Sequence, residues 1–74
     1  MKLQNIGRVI DSDGQITLGN VGLLDCVAVA TDGPRSLAML VRGRNESPEA
    51  LLVRLDAAIA SALDEGVVID EINE

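Results

Sequence analysis

The chain contains no tryptophan, tyrosine, phenylalanine or histidine, and it has a single cysteine. Aromatic side chains bury the most area per residue, so without them the core must be assembled from Leu, Ile, Val, Ala and Met. The lack of histidine removes the commonest general base and metal ligand at neutral pH. One cysteine, Cys26, excludes an internal disulfide and any zinc site built on several thiolates. It also makes a reducing cytoplasm the default compartment. No apolar run approaches the roughly 18 residues of a membrane span. The opening MKLQNIGRVI has neither the apolar segment nor the small-residue cleavage site of a signal peptide. Bases are scarce too, six against twelve acids, for a net charge of −6. Nucleic acids and anionic membranes both require positive surface, so neither is expected as a partner.

What is present fits one small domain, residues 1–74. A domain of this size buries only about 60–65% of its unfolded surface, and burial against a second copy is a common remedy. The charge is unevenly spread. Residues 1–44 carry five bases and four acids, whereas residues 45–74 carry Arg54 alone against eight acids.

The clearest element is a helix over Pro48–Glu65. Ser47 suits the N-cap, Pro48 the first helical position, Glu49 the positive end of the dipole, and Gly66 a left-handed stop. Leu52, Leu55, Ile59, Ala62 and Leu63 recur at 3–4 residue spacing, with Leu51 and Ala58 on the flank, and define its inner face. Upstream, residues 5–10 read as a strand with Ile6, Val9 and Ile10 available to face inward. Asp11-Ser12-Asp13-Gly14 reads as a turn, and residues 15–18 as the returning strand of a first hairpin. Gly19-Asn20-Val21-Gly22 reads as a hinge or turn.

Residues 23–31 and 36–42 form a second hairpin around Asp32-Gly33-Pro34-Arg35. Alternation places Val27 and Val29 opposite Cys26, Ala28 and Ala30. It likewise places Leu37, Met39 and Val41 opposite Ala38 and Leu40. This hairpin is apolar on both faces, so something must cover each. Residues 67–69 form a last strand, with residues 70–74 as its polar end. The expected fold is therefore α+β, a mostly antiparallel sheet of about five strands in the order β-β-β-β-α-β, with one amphipathic helix on one face.

Little in the chain carries chemistry. Asp11 to Ile16 overlays part of a calcium loop, but Val9 and Asn20 fall where the first carboxylate and the bidentate glutamate belong, so a structural turn is expected. Cys26 has no base or positive charge to activate it and reads as an inert buried thiol. Asp70 and Glu71 are adjacent on a strand and point to opposite faces, which does not make a catalytic pair. No phosphate loop, nucleophile elbow or metal-ligand spacing is present. The sequence thus predicts no enzyme, no cofactor and no metal site.

Two anomalies mark the helix. Val53 and Ala57 leave its back face thinly polar, and Asp64 and Glu65 sit at the negative end of the dipole, where each costs about 0.3–1 kcal/mol. Arg35, Arg42 and Arg44 are candidates to offset them, within one chain or between chains, or to hold an anion. The candidate interface is Val53 and Ala57 on the helix and Cys26, Ala28, Ala30, Ala38 and Leu40 on the sheet. The leading expectation is a non-catalytic interaction module acting as a homo-oligomer, most simply a dimer. A domain swap of residues 1–19 about the glycine hinge is one variant of it. A second reading is capture of an apolar anion in an aliphatic cavity, with an arginine at its charged end. A third rests on element order. The β-β-α-β succession of residues 24–72 resembles the small sheet-and-helix domain of HicB-type antitoxins, which implies a regulatory neutraliser of a basic partner protein. The aromatic and Pro-Gly features of that family's strands are absent here.

Overall fold

A computed structural model describes residues 2–22 and 24–73. It is an α+β fold of two helices and a four-stranded mixed sheet, in the order α1 (Gln4–Asp11), β1 (Gln15–Val21), β2 (Leu24–Asp32), β3 (Arg35–Val41), α2 (Pro48–Glu65) and β4 (Ile69–Asp70). Leu23 and Glu74, assigned above to a strand start and to the polar tail, lie outside the described residues.

Helix α2 forms as its local signals dictate. Ser47 Oγ accepts from Ala50 N at 3.0 Å, and Gly66 adopts the left-handed conformation at φ 71°. The N–H groups of Gly66 and Val67 then close the last turn on the carbonyls of Ala62 and Ser61. Its buried apolar residues are Leu51, Leu55, Ala58 and Ile59, with Leu52, Ala62 and Leu63 only partly buried. The inner face is therefore rotated from the expected one, toward Leu51. Each fully buried Leu or Ile contributes about 1.5–3 kcal/mol, so truncating Leu55 to alanine would cost about 2–5 kcal/mol.

The expected first hairpin is not formed, because its first arm is the helix α1. Ile6 and Val9 stand three residues apart, share one helical face and are buried in the core, while Ile10 is exposed. β1 does form. It continues through Gly19 to Val21, so the chain turns at Gly22 (φ 58°) rather than hinging across residues 19–22. Residues 12–14 link α1 directly to β1. There Asp13 takes a left-handed conformation (φ 63°), and Gly14 presses against Val9 and the Thr31 carbonyl.

The sheet runs β1-β2-β3-β4. The β2–β3 hairpin pairs as read, with Ala28 opposite Leu40, Val29 opposite Met39 and Ala30 opposite Ala38. The register then skips to Thr31 opposite Ser36, leaving Leu37 as the extra residue of a bulge. Simple alternation put Leu37 with Met39 and Val41. The bulge turns it instead to the helix side, where it is buried beside Val9 and Leu63. The last strand is only two residues long and parallel to β3, with Ile69 opposite Ala38 and Asp70 opposite Met39. The α2 crossover makes the parallel pairing possible. The β-β-α-β order read for residues 24–72 is the order found.

Both helices lie on one face of the sheet and touch each other. α2 rests on β3 and β2, and α1 on β1 and β2. The three alanines at 28, 30 and 38 let this layer sit close to the strands, and with Leu40 they are fully enclosed. The opposite face carries Val27, buried, and Val29, Met39 and Val41, half-buried. Among the described residues no helix covers it.

Candidate interaction surface

α1 is held by a residue fifty positions away. Its own N-cap residue, Leu3, offers no side-chain acceptor. The orphan donors of the first turn are met by Asp56 of α2. Oδ1 accepts Asn5 N at 2.8 Å and Ile6 N at 2.9 Å, and Oδ2 accepts Asn5 Nδ2 at 3.0 Å. A carboxylate at a helix N-terminus meets both the free N–H groups and the positive end of the dipole. Asp56, Asn5 and Ile6 are all buried, so this bond set fixes where α1 lies on α2.

Arg54 makes a second clasp. Its guanidinium bonds Glu46 through Nε and Nη2 at 3.0 Å each, Glu71 through Nη1 at 2.6 Å and the Val41 carbonyl at 2.8 Å. Glu71 also accepts Val41 N at 2.9 Å. One side chain thereby ties the end of β3, the loop before α2 and the segment after β4. The Arg54 hydrogen bonds, and then Gly43 N, hold the Glu46 carboxyl down at about 2, against an ordinary 4.5. Arg54 is itself raised, chiefly by Glu46. Asp70 is lowered because the backbone N–H of Asn73, its side-chain amide and Ile72 N all donate to it.

Beside this clasp lies a cleft of about 300 Å³ between α2 and β4, lined by Leu40, Ala57, Ala58, Ser61, Ile69 and the Arg54–Glu71 pair. It exists because α2 sits over β2 and β3 and leaves β4 uncovered on its own face. Its rim is apolar. Val53 (51% exposed) is one helical turn from Ala57, and the N–H of Val67 (53%) bonds the carbonyl of Ser61, a residue of the cleft wall. Val68 (52%) and Ile69 (36%) follow in sequence. Among the described residues, Val53, Val67, Val68 and Ile69 are thus exposed large apolar residues on or next to the segments that flank the cleft.

Of the interface residues expected from sequence, Val53 and Ala57 are exposed and meet here. Ala28, Ala30, Ala38 and Leu40 are buried beneath the chain's own helices, and Cys26 is partly buried against the same core. That face is consumed by the intrachain core, so the four buried residues are not free to meet a partner.

The arginines do not converge either. Arg35 pairs with Asp32 at 2.7 Å at the β2–β3 turn. Arg42 and Arg44 lie past the other end of β3, roughly 20 Å away at a strand rise of about 3.3 Å per residue. Arg42 donates to the Glu46 carbonyl, and Arg44 is exposed. None of the three reaches the C-terminal end of α2. Asp64 is met instead by Arg8 of α1, at 3.1 Å, and Glu65 is exposed. Arg8 and Arg54 were not among the sequence candidates. An acid-rich helix carrying a lone arginine was the one signal for Arg54. For Arg8 there was none, since its element was read as a strand.

Among the described residues no cluster of Cys, Asp or Glu is arranged to hold a metal ion, and no helix is long and apolar enough to cross a membrane. The fold and surface define a small α+β module with an apolar edge. No protein family, curated protein or solved structure matches the chain.

Proposed function

We propose that this chain is a non-catalytic interaction module of the reducing cytoplasm that works as a homodimer. One observation carries the reading: exposed apolar residues, Val53, Ala57, Val67 and Ile69, on the two segments that flank an apolar cleft in a chain of net charge −6. Exposed Leu or Val scattered singly needs no explanation, but a gathered patch around a cleft marks an interaction site. The aromatic-free core supports it, because added burial offsets what a 74-residue domain lacks. The test is light scattering with refractive-index detection, since a chain without Trp, Tyr or Phe has almost no near-UV absorbance. A mass approaching twice 7.8 kDa at high micromolar concentration is expected. A 7.8 kDa species at every concentration refutes the proposal.

The same cleft supports a second reading, capture of a small apolar anion. Its floor is aliphatic and Arg54 stands at one end. An incoming carboxylate would meet the Arg54 guanidinium beside Glu71. Thermal shift with medium-chain carboxylates tests this. A rise in melting temperature would favour the ligand reading over self-association as the use of the cleft.

A further inference from the structure

We infer that the partner on this patch is a second copy of the chain, joined through the open edge of β4 so that the two sheets run on as one. The inference rests on the self-association proposed above and specifies its geometry. Glu71 N donates to the Met39 carbonyl. Backbone groups alternate sides along a strand, so the N–H and C=O of Ile69 and Glu71 point to β3. Those of Asp70, and of Val68 one step back, point away to the open edge. Unpaired edge groups are a template for another strand.

These free groups are symmetric about Ile69. An antiparallel partner related by a two-fold axis there places Val68 against Asp70 of the second copy, and Asp70 against its Val68, each pair exchanging two hydrogen bonds. Ile69 then faces its counterpart in the closely spaced, non-hydrogen-bonded position. An identical edge satisfies itself, which is the requirement for a closed isologous dimer. Among the described residues the other edge of the sheet, β1, carries Leu18 as its exposed large apolar side chain.

The side chains agree with the backbone. Ile69 points to the helix side, into the cleft it shares with Ala57 and Ser61. Pairing the β4 edges merges two clefts into one largely apolar trough between the two α2 helices, lined by Ala57, Ala58 and Ile69 of each copy. No charged side chain lines the trough except the Arg54–Glu71 pair, which is already neutralised. The aliphatic lining of the cleft, Leu40, Ala57, Ala58 and Ile69, matches the same lining on a second copy. The half-exposed valines, Ile69, Ala57 and the cleft floor offer roughly 400–500 Å² per copy, or about 800–1,000 Å² in the pair. That is the low end of specific interfaces and predicts a dimer that dissociates on dilution.

The experiment compares wild type, Val68→Pro, Ala57→Glu and Leu18→Lys by light scattering from about 1 to 500 µM, with circular dichroism melts of each. Val68→Pro removes one outward donor at an edge, where proline is tolerated. Ala57→Glu puts a charge in the trough from an exposed helical site. Both are expected to remain monomeric with unchanged spectra, while Leu18→Lys dimerises like wild type. Hydrogen exchange at the Val68 and Asp70 amides should slow as wild-type concentration rises. Were Val68→Pro to unfold, Ala57→Glu decides. A wild-type monomer overturns the self-association reading and this inference with it. A wild-type dimer that survives both substitutions leaves self-association standing and overturns the β4 edge. Dissociation by Leu18→Lys alone would move the joint to β1.

Discussion

Replacing Asp56 with alanine removes three hydrogen bonds at once and leaves two backbone donors of α1 without a partner. A hydrogen bond to a charged group contributes about 1.5–3 kcal/mol, and a buried donor left unpaired costs about 1–3 kcal/mol. The three bonds act as a unit, so the losses do not simply add, and a total of about 3–5 kcal/mol is expected. A chain of this length has about 4–11 kcal/mol of stability in all. The eight residues of α1 cannot stand as a helix alone, since isolated helices shorter than about 12–15 residues are marginal in water.

Asp56→Asn is a finer probe. Its carbonyl oxygen can still accept from Asn5 N and Ile6 N, but its amide now meets the Asn5 amide donor to donor, for a loss of about 1–2 kcal/mol. Asn5→Ala removes only the side-chain bonds and should cost about 1 kcal/mol. In the Asn5→Ala background the opposed donor is gone, so the penalty for Asp56→Asn should shrink. Urea unfolding followed by circular dichroism at 222 nm measures all four species, because there is no aromatic fluorescence to follow. The order Asp56→Ala, then Asp56→Asn, then Asn5→Ala is expected, with α1 amides exchanging before the rest of the chain. If Asp56→Ala lies within about 1 kcal/mol of wild type, or the two substitutions are additive, Asp56 does not hold α1 in the way its geometry says.

Three further outcomes follow from local geometry. Gly14→Ala would place a Cβ 2.5 Å from Val9 Cγ1 and 2.6 Å from the Thr31 carbonyl oxygen. Backbone cannot yield there, so a loss of about 2–3 kcal/mol or more is expected in urea titrations, and a loss under 1 kcal/mol would contradict the close approach. Ser47→Ala removes the cap on Ala50 N and should cost about 1 kcal/mol, read as a lower urea midpoint with unchanged slope. The Glu46 carboxyl is depressed on folding, so its stabilisation is complete above its unfolded value of 4.5 and is lost as pH falls toward about 2. Asp70, lowered by Asn73 and Ile72, acts in the same direction. Melting temperature should drop between pH 4.5 and 2, and Glu46→Gln should flatten that drop while lowering the plateau above it. Parallel pH curves for wild type and Glu46→Gln would show that the Arg54 clasp contributes nothing.

Half of the candidate surface was legible in the sequence. Val53 and Ala57 stood out because a helix of known boundaries fixes which residues share a flank, and a β-branched valine has no propensity reason to be there. The sheet half was misplaced because the β2–β3 hairpin is apolar on both sides. Periodicity then says which residues share a face but not which face the helices take. Alanine at positions 28, 30 and 38 was the available signal, since small residues permit close helix approach. The Val67–Ile69 contribution was hidden because a run of three apolar residues reads equally as a buried strand and an exposed edge.

The sequence by itself determined α2 and the β2–β3 hairpin, because Ser47, Pro48, Gly66 and the Gly33-Pro34 turn act within a few residues of where they sit. Only the tertiary structure decided the rest. Residues 4–11 are few, with an interior glycine and no cap of their own, and they become α1 because Asp56 supplies the cap from across the chain. Leu37 joins the core because a bulge breaks the alternation that assigned it elsewhere. β4 lies parallel at the edge of β3 because Arg54 and Glu71 hold it there, and that placement leaves a cleft and an unpaired edge side by side. Local signals name the elements. Hydrogen bonds between residues tens of positions apart choose their partners, and no window along the chain contains both ends.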